Sequence, residues 1–339
     1  MHIVRCPENP IITPGIFDWR KAAVYNPGAI YDNGKFYVLE RASDSLRPHR
    51  CWIGLLSSDD GVHFTHVSDK PVYTPAMMGW PDGSVQDPRV VKIDGTFYMT
   101  AAVRPFAVHF GQPPGFRLER YYPSFSGWEK DNWSRTVLAA SRDLVRWETL
   151  GFCTPEGVDD RDVMLFPRKI GGRYVMLHRP KDPPADPEGR HISLCRSNDL
   201  KSWSPLERVA SCRPTTAWEA VKMGAAAPPI ETERGWILLY HAVDAGAVYR
   251  VGALLLDREE PARVLARTIC PIMEPLHDYE RNGLFIPNVV FPCGAAVKDG
   301  TVYIYYGCSD SVISLATVGL RQLLDHLLLC GGGDAAIDG

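Results

Sequence analysis

Asp87, Arg161, Arg179, Lys222 and His241 are the residues of this 339-residue chain whose types invite a chemical reading. Asp87 stands in Gln86-Asp87-Pro88-Arg89 and supplies a carboxyl able to pass a proton. The other four are basic side chains, and His178 lies beside Arg179. Cations buried without partners are costly, so such a group needs carboxylates or a bound anion. Asp159, Asp160, Asp162 and Asp244 are the partners a structural account would use. The functional account is inorganic phosphate or a phosphate ester, which takes a planar Arg fork plus point charge from Lys and His. For Asp87 the structural alternative is the capping of a tight turn. Residue types alone leave both choices open.

These residues are carried by a repeated frame. Five times an apolar run reaches a Gly-bearing turn and continues as an aromatic-rich strand: Asp32-Asn33-Gly34-Lys35, Asp94-Gly95, Gly171-Gly172, Glu233-Arg234-Gly235 and Asp299-Gly300. Such turns between apolar strands signal β-hairpins. The glycines recur at steps of 61, 77, 63 and 65 residues, the spacing of propeller blades. The expected fold is therefore all-β, a five-bladed β-propeller over residues 1–318. A short C-terminal helix over 319–330 and a disordered glycine-rich tail over 331–339 follow. Ser-x-Asp turns with a nearby aromatic, near Asp59, Asp143 and Asp199, belong to the blade scaffold.

A proline precedes each hairpin glycine by five to eight residues, which makes these positions equivalent by repeat. The residue before it varies: Asn26, Asp87, Phe166, Ala227 or Pro228, and Phe291. A single acid at one axis-facing position reads as a chemical choice. Residues 104–135 break the rhythm with Pro113-Pro114-Gly115, Tyr121, Tyr122, Trp128 and Trp133, an aromatic insertion suited to shaping a sugar site.

Hydrophobic content of 45% supports a large core, and a net charge of −3 argues against nucleic-acid or membrane-surface partners. No stretch has the apolar length of a membrane span or the core of a signal peptide. Nine cysteines without a Cys-x-x-Cys pair fit reduced thiols in the cytoplasm and argue against structural zinc. The apolar helix leans toward a homo-oligomer.

The ordered set Asn26-Pro27-Gly28-Ala29, Asp87-Pro88-Arg89-Val90, Arg161 through Pro167, Met176 through Pro180, Ala226 through Ile230, Tyr240-His241, Pro287 through Pro292 and Tyr305-Tyr306-Gly307 with Asp310 resembles glycoside hydrolase family 130, the five-bladed β-mannoside phosphorylases. The likeness spans about residues 8 to 318. It implies phosphorolysis of a β-mannoside with inversion, releasing α-mannose 1-phosphate, with inorganic phosphate as co-substrate and no metal or organic cofactor. By this resemblance Asp87 is the catalytic acid, its proton travelling through the mannosyl 3-hydroxyl. Arg161, Arg179, Lys222 and His241 match phosphate-binding positions, and Asn26, Arg41, Tyr249 and Asp310 match or neighbour those holding the mannosyl unit.

The division of labour is chemically coherent. An inverting hydrolase needs a second carboxylate to activate water, whereas phosphate is already a nucleophile and needs cations. Related five-bladed hydrolases need three carboxylates, and blade one offers Asn26. A β-mannoside hydrolase of the same family and a non-catalytic sugar-binding propeller are the competing readings. Gln86 replaces a usual Glu, Arg168 a common acid, expected to point outward, and Cys293 a small hydroxyl residue. Acceptors in the family include glucose, N-acetylglucosamine and mannose, and β-1,4-linked manno-oligosaccharides are the preferred expectation.

Overall fold

Four of the five hairpin turns hold two consecutive residues at positive φ: Asn33 and Gly34, Asp94 and Gly95, Gly171 and Gly172, Asp299 and Gly300. Two such residues give the type I′ turn, whose twist matches that of the strands it joins. The fifth turn differs, with Thr232 paired to Gly235 across Glu233-Arg234. The computed structural model describes residues 1–108, 117, 133–154, 158–181 and 186–330. Most of the aromatic insertion, including Tyr121, Tyr122 and Trp128, and the tail 331–339 lie outside the described residues. Trp133, at the end of that insertion, is buried.

A short strand β1 (Val4–Arg5) precedes the first blade. Blade one is β2 (Ala23–Asp32), β3 (Lys35–Ser43), β4 (Cys51–Ser58) and β5 (Thr65–His66). Blade two is β6 (Ser84–Ile93), β7 (Thr96–Arg104), β8 (Arg135–Ser141) and β9 (Trp147–Phe152). Blade three is β10 (Asp160–Leu165), β11 (Tyr174–Pro180), β12 (His191–Ser197) and β13 (Glu207–Ser211). Blade four is β14 (Lys222–Ala225), β15 (Ile230–Thr232), β16 (Gly235–Val243), β17 (Tyr249–Leu256) and β18 (Val264–Arg267), its inner strand split in two. A one-turn helix α1 (Asp278–Arg281) leads into blade five: β19 (Val290–Lys298), β20 (Thr301–Cys308) and β21 (Val312–Gly319). The result is a five-bladed propeller. No described helix is long and apolar enough to cross a membrane.

Blade five takes its fourth strand from the other end of the chain, because β1 pairs with β21 through Val4–Thr317 and Arg5–Ala316. Arg5 Nε donates to Glu280 Oε1 at 2.8 Å, and Tyr306 OH donates to the same oxygen at 2.8 Å. Nothing in the repeat pattern marked this closing strand. Helix α2 (Leu320–Cys330) follows β21 directly and sinks Leu323, Leu324 and Leu327 into the core shared by blades four and five. The Ser-x-Asp turns form as expected at Ser141–Asp143 and Ser197–Asp199, while the first falls one residue later, at Ser58–Asp60. In each the carboxylate accepts two backbone N–H groups.

The inner strands meet closely at the axis. A Cβ on Gly28 would lie 2.7 Å from Pro88 O, and one on Gly294 would lie 2.3 Å from Ala29 N, so neither position admits a side chain without backbone movement. Three inner strands carry a bulge at the same place: Asn26-Pro27, Asp87-Pro88 and Asp162-Val163 each oppose a single partner residue. Asn26, Asp87 and Asp162 have φ of 45°, 52° and 53°, a left-handed conformation Asn and Asp tolerate better than most residues. This corrects the proline-based equivalence. Blade three's counterpart of Asp87 is Asp162, not Phe166, because register and not proline defines the position. Blade five bulges at Pro292-Cys293, one residue after Phe291, and in blade four the inner strand is interrupted, with residues 226–229 standing opposite Leu238 and Leu239.

Glu280 is fully buried and also accepts the N–H groups of Leu276 and His277. Glu280→Ala would leave Arg5 and Tyr306 without their shared acceptor, with an expected loss of roughly 3 kcal/mol. A lower midpoint in chemical denaturation, with a smaller loss in Glu280→Gln, is the expected result.

Candidate active site

The bulged inner strands aim their polar side chains into one cavity of about 390 Å³ at the propeller axis. Asn26, Arg41, Asp87, Arg161, Arg179, Lys222, His241, Tyr249 and Asp310 all line it, so the expected acid, phosphate-binding and mannosyl-binding residues converge there. His178 does not. It turns away to bond Asp160 at 2.7 Å and Cys195 at 3.1 Å.

One side of the cavity is built around Asp87. Asn26 Nδ2 and Arg41 NH1 both donate to its Oδ1, at 2.9 and 2.8 Å. Among the described residues no hydrogen bond reaches Oδ2. Arg41 is held from behind, with its guanidinium 4.2 Å from the Tyr25 ring centroid and its Nε donating to Cys51 Sγ at 3.3 Å. Gly307 makes room for Asn26, since a Cβ there would sit 2.1 Å from Asn26 Oδ1. Asp310 follows Ser309 in a left-handed pair. Burial raises the Asp310 carboxyl to about 6, with Arg41 opposing and Asp87 adding to the rise. Gln86 Nε2 is turned to Ser84 Oγ at 3.1 Å.

The other side collects the cations, and part of the ion-pair account holds. Arg161 pairs with Asp159 at 3.1 Å, Arg179 Nε bonds Asp162 closely, and Asp244 pairs with Arg250 at 2.6 Å. Lys222 Nζ instead donates to Tyr249 OH, which puts Tyr249 against the cations. His241 Nε2 lies 3.6 Å from Asp162 Oδ2, and its buried Nδ1 has no partner among the described residues. Burial pushes His241 down to about 3, against the pull of Asp162, so the ring is neutral at pH 7. Burial also lowers Lys222, to about 7, and Arg179 and Arg161 add to the fall while Asp162 opposes it.

Sequence reasoning missed Arg104, Lys181, Glu188 and the role of Asp162, all of which line the cavity. Arg104 ends β7 where the hairpin pattern marks only a strand. Burial, with Arg161 and Arg41 nearby, brings it down to about 9. Six Arg and Lys side chains face four carboxylates in the described lining, an excess that suits an anion. Arg168 points away from the cavity and pairs with Glu231 of blade four at 2.8 Å. Cys293 is buried against Val289 and Phe291, outside the lining.

The family model described as beta-1,4-mannooligosaccharide phosphorylase matches residues 7–107 and 116–328. The chain is 39% identical to 1,2-beta-oligomannan phosphorylase of Thermoanaerobacter sp. strain X514, over 94% of this chain and 98% of that one. It is 35% identical to beta-1,2-mannobiose phosphorylase of the same organism, over 93% and 97%. Among solved structures it is similar to the beta-1,2-mannobiose phosphorylase of Listeria innocua in complex with beta-1,2-mannobiose. That match has a TM-score of 0.78 at 26% identity and covers 97% of this chain and 100% of that one.

Lys222 is charged below its lowered pKa and neutral above it. Anion affinity at this site should therefore fall as pH rises through about 7. Titration calorimetry with inorganic phosphate, corrected for phosphate's own ionisation, should show weaker binding on the alkaline side and proton uptake on binding. Lys222→Met should bind weakly and lose this pH dependence.

Proposed function

The chain belongs to glycoside hydrolase family 130, and on that premise we propose that it is an inverting phosphorylase of β-mannosides, with β-1,2-linked manno-oligosaccharides as its substrates. One observation carries the mechanism: a carboxyl with one oxygen unengaged faces, across a single cavity, a cation-rich wall whose internal carboxylate is itself ion-paired. In this reading Asp87 passes its proton toward the glycosidic oxygen, by way of the mannosyl 3-hydroxyl. Asn26 and Arg41 fix the carboxyl, and with Asp310 they hold the mannosyl unit. Phosphate, held by Arg161, Arg179, Lys222 and the neutral His241, attacks C1 from the opposite face. The C1–O bond to the leaving sugar breaks as the phosphate oxygen bonds C1. Asp162 is a poor water-activating base, since the paired guanidiniums of Arg179 and Arg89 outweigh its burial and hold its carboxyl well below the usual range.

The β-1,2 linkage rests on the two Thermoanaerobacter relatives, both named for it, whereas the family description names β-1,4. The test is mannose 1-phosphate release from β-1,2- and β-1,4-mannobiose, with and without inorganic phosphate. Release should depend strictly on phosphate, be about tenfold or more faster in kcat/KM on the β-1,2 disaccharide, and fall by ~10²–10⁴ in Asp87→Asn. Free mannose at the same rate without phosphate would instead make the enzyme a hydrolase.

A further inference from the structure

Asp162 occupies in blade three the bulged position that Asp87 occupies in blade two, yet its surroundings give it another task. Arg179 Nε bonds one carboxylate oxygen, His241 Nε2 approaches the same oxygen at 3.6 Å, and Arg89 NH2 donates to the other at 2.9 Å. Arg89 is buried and continues inward. Its Nε donates to Ala226 O at 2.8 Å and its NH1 to Asp87 O at 3.1 Å. One carboxylate thus gathers side chains from β6, β11 and β16, and the chain of contacts ends on the backbone of the acid.

We propose that Asp162 is a positioning residue through which phosphate binding is set: it orders Arg179 and His241 in the phosphate half and, through Arg89, ties them to the strand that presents Asp87. Gly224 supports this assignment. A Cβ there would stand 2.3 Å from Asp162 Oδ2 and 2.6 Å from both Arg179 Cδ and His241 Cε1, so the strand opposite is bare where the carboxylate sits. Asp162 acts on Lys222 as well. Arg179 and Arg161 disfavour the charge on Lys222, Asp162 and Glu188 favour it, and Tyr249 and the neutral His241 complete its surroundings. Removing the carboxylate therefore frees Arg179 from its partner and makes Lys222 harder to protonate. Both effects weaken anion capture, while the Asn26–Arg41–Asp87 group is left in place.

This inference rests on the phosphorylase reading, and the experiment keeps the two apart. Steady-state kinetics on β-1,2-mannobiose and inorganic phosphate are measured across the neutral pH range for wild type, Asp162→Asn and Gly224→Ala. Asp162→Asn should raise the KM for phosphate by roughly tenfold or more, as for a lost hydrogen bond between charged groups. Its alkaline limb should move to lower pH, with kcat at saturating phosphate changed far less. Gly224→Ala displaces the carboxylate but keeps its charge, so it should raise the KM for phosphate and leave the limb where it is. Phosphate-dependent wild type with an unaltered KM and limb in Asp162→Asn overturns the proposal alone. Should Asp162→Asn fail to fold, an unaltered phosphate KM in Gly224→Ala overturns it equally. Turnover of wild type without phosphate overturns the phosphorylase reading and this inference with it.

Discussion

A left-handed bulge in three neighbouring inner strands is the constraint on which the site depends. An ordinary strand alternates its side chains between two faces, and neither face points down the axis of a propeller. The extra residue of a bulge breaks that alternation and re-aims one side chain. Asn26, Asp87 and Asp162 are so aimed, and each has the short polar side chain that tolerates positive φ. One backbone device repeated three times thus delivers an amide, an acid and a counterion. Their different chemistry comes from their neighbours: Arg41 and Asn26 at Asp87, three basic side chains at Asp162.

The two halves of the cavity solve opposite electrostatic problems. Around Asp87 and Asp310 two carboxyls share a buried space with Arg41, and the Asp310 carboxyl is raised to about 6. Around Lys222 the cations crowd one another and burial favours their neutral forms, so His241 and Lys222 are both lowered. Arg89 is the joint between these regimes, touching Asp87 through its backbone and Asp162 through its carboxylate. The scaffold thereby links the strand that presents Asp87 to the carboxylate that pairs with Arg179.

Local chemistry made the frame legible. Paired positive-φ residues announce themselves as Asn-Gly, Asp-Gly and Gly-Gly, and four such signals, with the turn at Gly235 as the fifth, give the architecture by their blade spacing. Asp87 was legible because Asp-Pro repeats Asn26-Pro27 of the preceding blade. Asp162 was not, because Val163 stands where the proline stands elsewhere, and a second proline, Pro167, drew the alignment four residues downstream. Arg89 and Arg104 carry no local signature, since what matters is their reach across blades. The strand β1 was hidden for the same reason: two residues acquire a strand only from a partner more than three hundred positions away.

That partnership has a consequence for how the molecule is made. While the chain leaves the ribosome, β1 emerges before the strands of blade one, and its hydrogen-bonding mate β21 emerges after those of blades one to four. Until then β21 has no edge to offer, and the ring stands open between its first and last blades. Open sheet edges invite pairing with other chains, and contacts of such long sequence separation form slowly. The nascent propeller therefore passes through a stage in which blades one to four are complete and the ring is still unsealed. Unpaired edges at that stage are where misassembly can begin, whatever the stability of the finished ring.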